Sequence, residues 1–369
     1  MKTWKIDVIP GDGVGIEVMR EGLRVLDRVA ELDGGFRFAW RHYDWSCQYY
    51  TRTGTMMSAD GMERLAESDA ILLGAVGFPG VPDHVSLREL LLKIRQGFDQ
   101  YVNLRPIQLL DERDCPIKGK TLNDVEMVFV RENTEGEYAG VGGRTRQGTP
   151  EEVVVQTAVF TRRNTERLMR YSFELARARA EDRRRRGLKT AAKLTSVTKS
   201  NALNYSMVFW DELFAEIARD YPDVSTDQYH VDAMAMYLVQ RPEDFDVVVA
   251  SNLFGDILTD LGAVLQGGLG FAAGGNLNPE RRFPSMFEPV HGSAPTIAGK
   301  NLANPIAMVW TVQLLLEHLG HQAAADRVLE AIRTVVTGDR RQLTPDMGGT
   351  GTTSAVGDLL LAALEPYSG

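Results

Sequence analysis

From Asp246 to Gly270 the chain reads DVVVASNLFGDILTDLGAVLQGGLG, and this stretch constrains the fold more than any other. Five residues, Asp246 to Ala250, with Val247, Val248 and Val249 at their centre, predict a buried parallel strand that Ser251 and Asn252 end. A helix follows. Asp256 and Asp260 stand four residues apart, so both carboxylates project from one face of that helix, one turn above the other. Like charges at that spacing repel by a few tenths of a kcal/mol on an exposed face. A cation between them gives the pair a purpose, and a solvated helix edge is the plain alternative. The position favours the cation, because α/β sheets bind ligands beyond the carboxyl ends of their strands.

The rest of the chain repeats the alternation. Lys5 to Ile9 predicts a strand, PGDGVG a turn, and Glu17 to Ala30 a helix with Val18, Leu23, Val25, Leu26 and Val29 on its apolar face. Glycines 11, 13 and 15 resemble a dinucleotide fingerprint, but Ile16 stands where its last glycine belongs, so the turn is read as a tight strand-to-helix junction. Ala70 to Leu73 is a second buried strand, followed by the glycine and proline loop GAVGFPGVPDH. Leu87 to Gln100 carries helical spacing with Arg88, Lys93 and Arg95, Arg105 lies in the extended NLRP segment, and Arg131 ends the strand Val125 to Val130. Arg95, Arg105 and Arg131 near such ends suit a substrate with carboxylates, which guanidinium groups grip in a bidentate fork, while each singly reads as a surface charge. Glu151 to Phe160 alternates like a β-ribbon, and Asn164 to Arg186 is a long amphipathic helix closed by Arg183 to Arg186. Lys189 to Thr195 returns to strand, Met207 to Tyr221 to helix, and Asp232 falls where a strand gives way to a helix. Amphipathic helices at Ile306 to Leu319, Ala323 to Val336 and Ala355 to Leu364 close the chain, after two glycine-rich loops, LQGGLGFAAGGNLN and FEPVHGSAPTIAGKNLANP.

Composition sets limits on partners. At 369 residues there is room for two domains. A net charge of -9 disfavours a general binder of nucleic acid or anionic membrane, which needs a positive field. No apolar run is long enough for a membrane span, and the two cysteines, Cys47 and Cys115, suit ordinary thiols in a reducing cytoplasm.

NLFGDILTDL with its glycine-rich continuation, together with RENTEGEYAG, TKSNA, VDAMA and FEPVHGSAPTIAGKNLANP in that order, resembles the β-decarboxylating dehydrogenases that act on isocitrate, 3-isopropylmalate and tartrate or D-malate. The resemblance covers nearly the whole chain. PDHVSLRELLLKIRQGFDQYVNLRP, the TKSN form of the lysine motif and NLNPERRFPSMFEP are most similar to the tartrate or D-malate branch. It implies an α/β fold, an isopropylmalate-dehydrogenase-like doubly wound sheet in two domains with a non-Rossmann nucleotide site. The first domain would comprise residues 1–104 and 263–369, and the second residues 105–262 with a dimerisation arm near 139–165. The resemblance also implies a homodimer in which Lys199 and Asp232 of one subunit meet Tyr138, Asp256, Asp260 and the arginines of the other.

The chemistry so implied is oxidation of a small (2R)-hydroxy dicarboxylic acid, D-malate or a tartrate, by NAD, through a β-keto acid that loses CO₂. Asp232, Asp256 and Asp260 would hold Mn²⁺ or Mg²⁺, hard ions that prefer oxygen ligands. Lys199 would direct the hydroxyl proton, Arg95, Arg105 and Arg131 would hold the departing carboxylate, and Tyr138 would protonate the enol carbon. His291, Gly292, Ser293, Ala294, Ile297 and Asn304 match the family's adenosine-binding loop. Thr296 and Ile297 offer no base for a 2′-phosphate, which favours NAD; the aspartate that NAD-dependent relatives carry at the position of Thr296 is missing, which leaves selectivity over NADP open. Arg88 either meets an extra hydroxyl or carboxylate at C3 or snorkels to solvent. Leu91 and Leu92 support 3-isopropylmalate as the alternative substrate. A non-catalytic RNA-binding protein that uses Arg183 to Arg186 is the alternative of another class; a solvated helix end whose charges complement the dipole explains the same run.

Overall fold

The structure, a computed structural model, describes residues 1–187 and 191–365. It divides into two compact units. One comprises residues 1–100, 109–122 and 263–369, the other residues 101–108 and 123–262. The division differs from the expected boundary at two places: residues 101–104 join the second unit, and residues 109–122 return to the unit built from the chain ends.

In the first unit the strands lie in the order Phe36–His42, Lys2–Gly11, Ala70–Ala75, Ser285–Pro289 and Ala273–Leu277. The first three pairings are parallel and the last is antiparallel. The helix Val14–Asp33 follows the first strand and buries Val18, Val25, Leu26 and Val29, the face its 3.6-residue spacing predicts. Gly11 and Gly13 take φ of 72° and 57°. A side chain at Gly11 would reach 1.9 Å from the Ala75 carbonyl oxygen, and one at Gly13 would reach 2.1 Å from that of Ser293. The PGDGVG turn is therefore a close-packed junction.

Two segments read as loops are strands. Ala273–Leu277 and Ser285–Pro289 are fully buried. Their glycine, alanine and proline content hides the alternation, yet it is the lack of side chains that lets Gly275 pack under the Phe287 ring. The helical run starts inside the GAVGFPGVPDH segment, at Asp83, and ends at Gly97, and residues Leu87–Leu92 form a π-helical turn. Such turns are rare and concentrate at functional sites.

In the second unit the order is Val102–Gln108, Glu126–Glu132, Val247–Ala250, Ala192–Thr198 and Val224–His230. The first pair is antiparallel and the others are parallel. Val247–Ala250, wholly buried, holds the middle of this sheet and leads into the helix Asn252–Leu265. Lys189, where the fourth strand was expected to begin, lies outside the described residues. Gly136–Thr145 pairs antiparallel with Val153–Val159 in a separate ribbon, on which Val141, Val153, Val154 and Val155 are exposed. No described helix is long and apolar enough to cross a membrane.

Candidate active site

The strand that ends at Glu132 and the helix that begins at Asn252 meet side by side in the second unit, and their junction gathers the expected groups. Arg131, 2% exposed, gives its Nε to the Asn252 carbonyl oxygen at 2.9 Å, Nη2 to Asn252 Oδ1 at 2.7 Å and Nη1 to Asp256 Oδ1 at 2.5 Å. Arg105, also buried, gives Nε to Asn103 Oδ1 at 2.8 Å, Nη1 to Thr259 Oγ1 at 2.5 Å and Nη2 to Asp256 Oδ1 at 3.3 Å. Tyr138 donates its hydroxyl to Asp256 Oδ2 at 2.9 Å. Burial pushes the Tyr138 phenol above its ordinary pKa, and the Asp256 charge adds to the shift. Two guanidinium groups and a phenol thus converge on one carboxylate.

Asp260 stands one turn further along. Partial desolvation holds its carboxyl above the usual range; Asp256 pushes the same way, and Arg105 and Arg131 oppose. No cation among the described residues lies within ion-pair distance of it. An oxygen-only pair, one member of which makes no direct ion pair, is the donor set that a hard divalent cation fits. Among the described residues of one chain, no three His, Cys, Asp or Glu side chains gather where an ion could sit. Asp232, in the first turn of Val231–Gln240, pairs instead with Lys199 Nζ at 2.7 Å. That hydrogen bond holds the Asp232 carboxyl below its ordinary pKa.

In the first unit, His291 to Ala294 follow the strand Ser285–Pro289 and pack on the PGDGVG turn, where Val14 N donates to the Ser293 carbonyl oxygen at 2.9 Å. Ala294 holds φ of 40°, a left-handed conformation that costs a non-glycine residue roughly 1–3 kcal/mol. Burial lowers the His291 pKa, and the buried Nε2 has no partner among the described residues. Asn304 gives Nδ2 to Asp346 Oδ2 at 3.0 Å and accepts from Ile306 N through Oδ1. Gly292 is exposed and Ile297 half-buried. Arg95 is buried and its Nη2 meets Glu288 Oε1 at 2.5 Å, while its Nε has no partner among the described residues. Arg88 is exposed on the π-helical turn and Leu91 half-buried.

Five contributors escape a reading of the sequence. Asn103 and Thr259 were detectable, since they lie two residues from Arg105 on a strand and three from Asp256 on a helix. Asn252, Glu132 and Asp346 act through contacts of long sequence separation. The arginine run also takes its meaning from acid partners. Arg183 meets Asp246 at 2.7 Å, Arg184 pairs with Glu181, and Arg185 and Arg186 approach Asp182 at 3.8 and 3.4 Å. That pairing weakens the positive field an RNA face requires.

Comparison with known proteins places this geometry in a lineage. The model of the family described as isocitrate/isopropylmalate dehydrogenase matches residues 5–360. The chain is 51% identical over 367 residues to a D-malate dehydrogenase [decarboxylating] of Escherichia coli (strain K12), covering 98% of each. It is 48% identical over 364 residues to a probable tartrate dehydrogenase/decarboxylase of Agrobacterium vitis, covering 99% of this chain and 98% of the other. The crystal structure of an isocitrate dehydrogenase from Methylococcus capsulatus superimposes with a TM-score of 0.85 at 34% identity, covering 99% of this chain and 100% of that one.

Proposed function

The chain belongs to the isocitrate/isopropylmalate dehydrogenase family and is a decarboxylating dehydrogenase of the D-malate and tartrate type, and from that premise we propose that it oxidises and decarboxylates D-malate or a tartrate with NAD and Mn²⁺ or Mg²⁺. The observation that carries this reading is the convergence of Arg105, Arg131 and Tyr138 on Asp256. Arg105 and Arg131 balance Asp256 and Asp260, and Lys199 balances the Asp232 of a second copy, so the groups sum to zero, a divalent cation there calls for a dianion, and a dicarboxylate is one.

Asp256 and Asp260, with Asp232 supplied by a second copy of the chain, would hold the ion. When bound, the ion would polarise the substrate oxygens and NAD would accept the hydride. Lys199, supplied with Asp232 by the second copy, would direct the hydroxyl proton as the hydride leaves. Arg105 and Arg131 grip the carboxylate that departs as CO₂, and their burial keeps competing water away. Tyr138 then supplies a proton to the enol carbon. Its raised pKa suits that role, because the phenol keeps its proton until the carbon needs it. His291 to Ala294, Ile297 and Asn304 would hold the adenosine, and the orphaned His291 Nε2 is a group such a ligand would satisfy. The Asp346 carboxylate beside Asn304 adds negative charge that disfavours a 2′-phosphate, which supports NAD despite Thr296.

The second copy is supported by apolar side chains left in solvent around the same residues: Ile257 beside Asp256, Met236 and Val239 on the helix of Asp232, Leu203 and Tyr205 after Lys199, and the valines of the ribbon. The free thiols Cys47 and Cys115 suit a reducing compartment. The deciding assay is NADH formation with Mn²⁺ over D-malate, the tartrate isomers, 3-isopropylmalate and isocitrate, with CO₂ recorded. D-malate turnover that chelation abolishes is expected. A preference of about tenfold for 3-isopropylmalate, about 1.4 kcal/mol in the barrier, would refute the branch assignment.

A further inference from the structure

Asn252 touches none of the groups that would meet substrate directly except Arg131, yet every hydrogen-bonding atom of its side chain is used. Its Oδ1 accepts from Arg131 Nη2 at 2.7 Å. Its Nδ2 donates to Glu132 Oε2 at 3.2 Å and to the Glu135 carbonyl oxygen at 3.0 Å. Glu132 in turn binds the next turn of chain: its Oε1 accepts from Thr134 N at 2.7 Å, Glu135 N at 2.9 Å and Asn164 Nδ2 at 2.8 Å. Burial raises the Glu132 pKa, and those donors oppose the shift. The turn ends at Gly136, whose φ is 69° and where a side chain would press within 3.0 Å of Asn252 Cβ. Two residues later stands Tyr138.

Asn252 therefore ties two lines to one point. Through Oδ1 it sets the direction of the Arg131 guanidinium; through Nδ2 it sets the turn that delivers the Tyr138 hydroxyl. Both lines end on Asp256, on the helix that Asn252 begins. Only a primary amide fits, because the site needs an acceptor toward a cation and a donor toward a carboxylate from one short side chain. An aspartate would keep the first contact and set a second carboxylate against Glu132 and the Glu135 carbonyl. An alanine would lose both.

We propose that Asn252 is a positioning residue, whose amide holds Arg131 and the Glu132–Gly136 turn so that Arg131 and Tyr138 address Asp256 and the substrate in register. The proposal rests on the decarboxylating-dehydrogenase reading, and its test is built to fail separately from it. In the full-length enzyme, Asn252→Ala and Asn252→Asp are measured for kcat and KM with D-malate, for Mn²⁺ affinity by electron paramagnetic resonance, and for amide hydrogen exchange at Thr134 and Glu135. The expected result is a loss of about 100-fold in kcat, the scale of a displacement near 1 Å, with Mn²⁺ affinity retained because Asp256 and Asp260 are intact. Exchange at Thr134 and Glu135 should quicken by about tenfold while the rest of the sheet keeps its protection. The Asn252→Asp/Glu132→Gln double variant, which turns the donor around so that residue 132 donates and residue 252 accepts, should regain about tenfold in kcat over Asn252→Asp alone. Unchanged kcat and unchanged local exchange in Asn252→Ala would overturn the proposal, as would a loss of protection spread over the whole second unit. If the wild type turns over none of the acids offered, the substrate reading fails, and the exchange measurement still decides for or against Asn252.

Discussion

Replacing Gly255 by alanine separates the stability of the helix from the aim of the arginine that crosses it. The helix Asn252–Leu265 passes under Arg131 at this residue, and a β-carbon there would stand 2.6, 2.8 and 3.2 Å from Arg131 Cγ, Cβ and Cδ. Carbon atoms rest at about 3.5–4.0 Å, so the stem must move by about 1 Å. It has little freedom to do so, since Nε and Nη2 are fixed to Asn252. Overpacking of this kind costs about 1–3 kcal/mol, whereas alanine for glycine inside a helix returns about 1 kcal/mol, so the net destabilisation is about 0–2 kcal/mol. Activity should suffer more. A displacement of about 1 Å in a group that grips the reacting carboxylate corresponds to about 100-fold, or about 2.7 kcal/mol, in kcat/KM. Gly255→Ala is to be assayed for Tm and for kcat/KM with D-malate. A variant with raised Tm and kcat/KM within about twofold of wild type would refute the claim that Arg131 must lie where it does.

Two further outcomes are expected. Lys199→Ala should bind NADH and Mn²⁺ as before and lose about 10²–10⁴-fold in NAD reduction, and near-normal turnover would remove the lysine from proton transfer. His318, pushed down to about 4 by burial and then by Arg281, stays neutral in the folded chain where the unfolded chain protonates near 6.5. Its contribution is complete above pH 6.5 and is lost as pH falls toward 4, at most about 3 kcal/mol. Urea unfolding between about pH 7.5 and pH 4 should therefore show a shallower acid loss in His318→Gln than in wild type, and identical curves would deny the ring that role.

The glycine turn, the central valine strand and the helix with Asp256 and Asp260 on one face were all legible in the sequence, because each depends on neighbours within a few residues. The roles proposed for Tyr138 and Lys199 come from the family resemblance and not from spacing or periodicity. The strands at 273–277 and 285–289 were not legible there, because burial against other strands, and no periodicity of their own, makes them strands. The Arg88 to Arg95 region likewise carries a π-helical turn that no local pattern announces. Which charges answer one another follows from the packing alone. Arg131 and Asp256 are 125 residues apart, and Arg95 finds Glu288 across 193. Charge attraction acts through space, so the sequence carries the charges while the packing of strands and helices selects the partners.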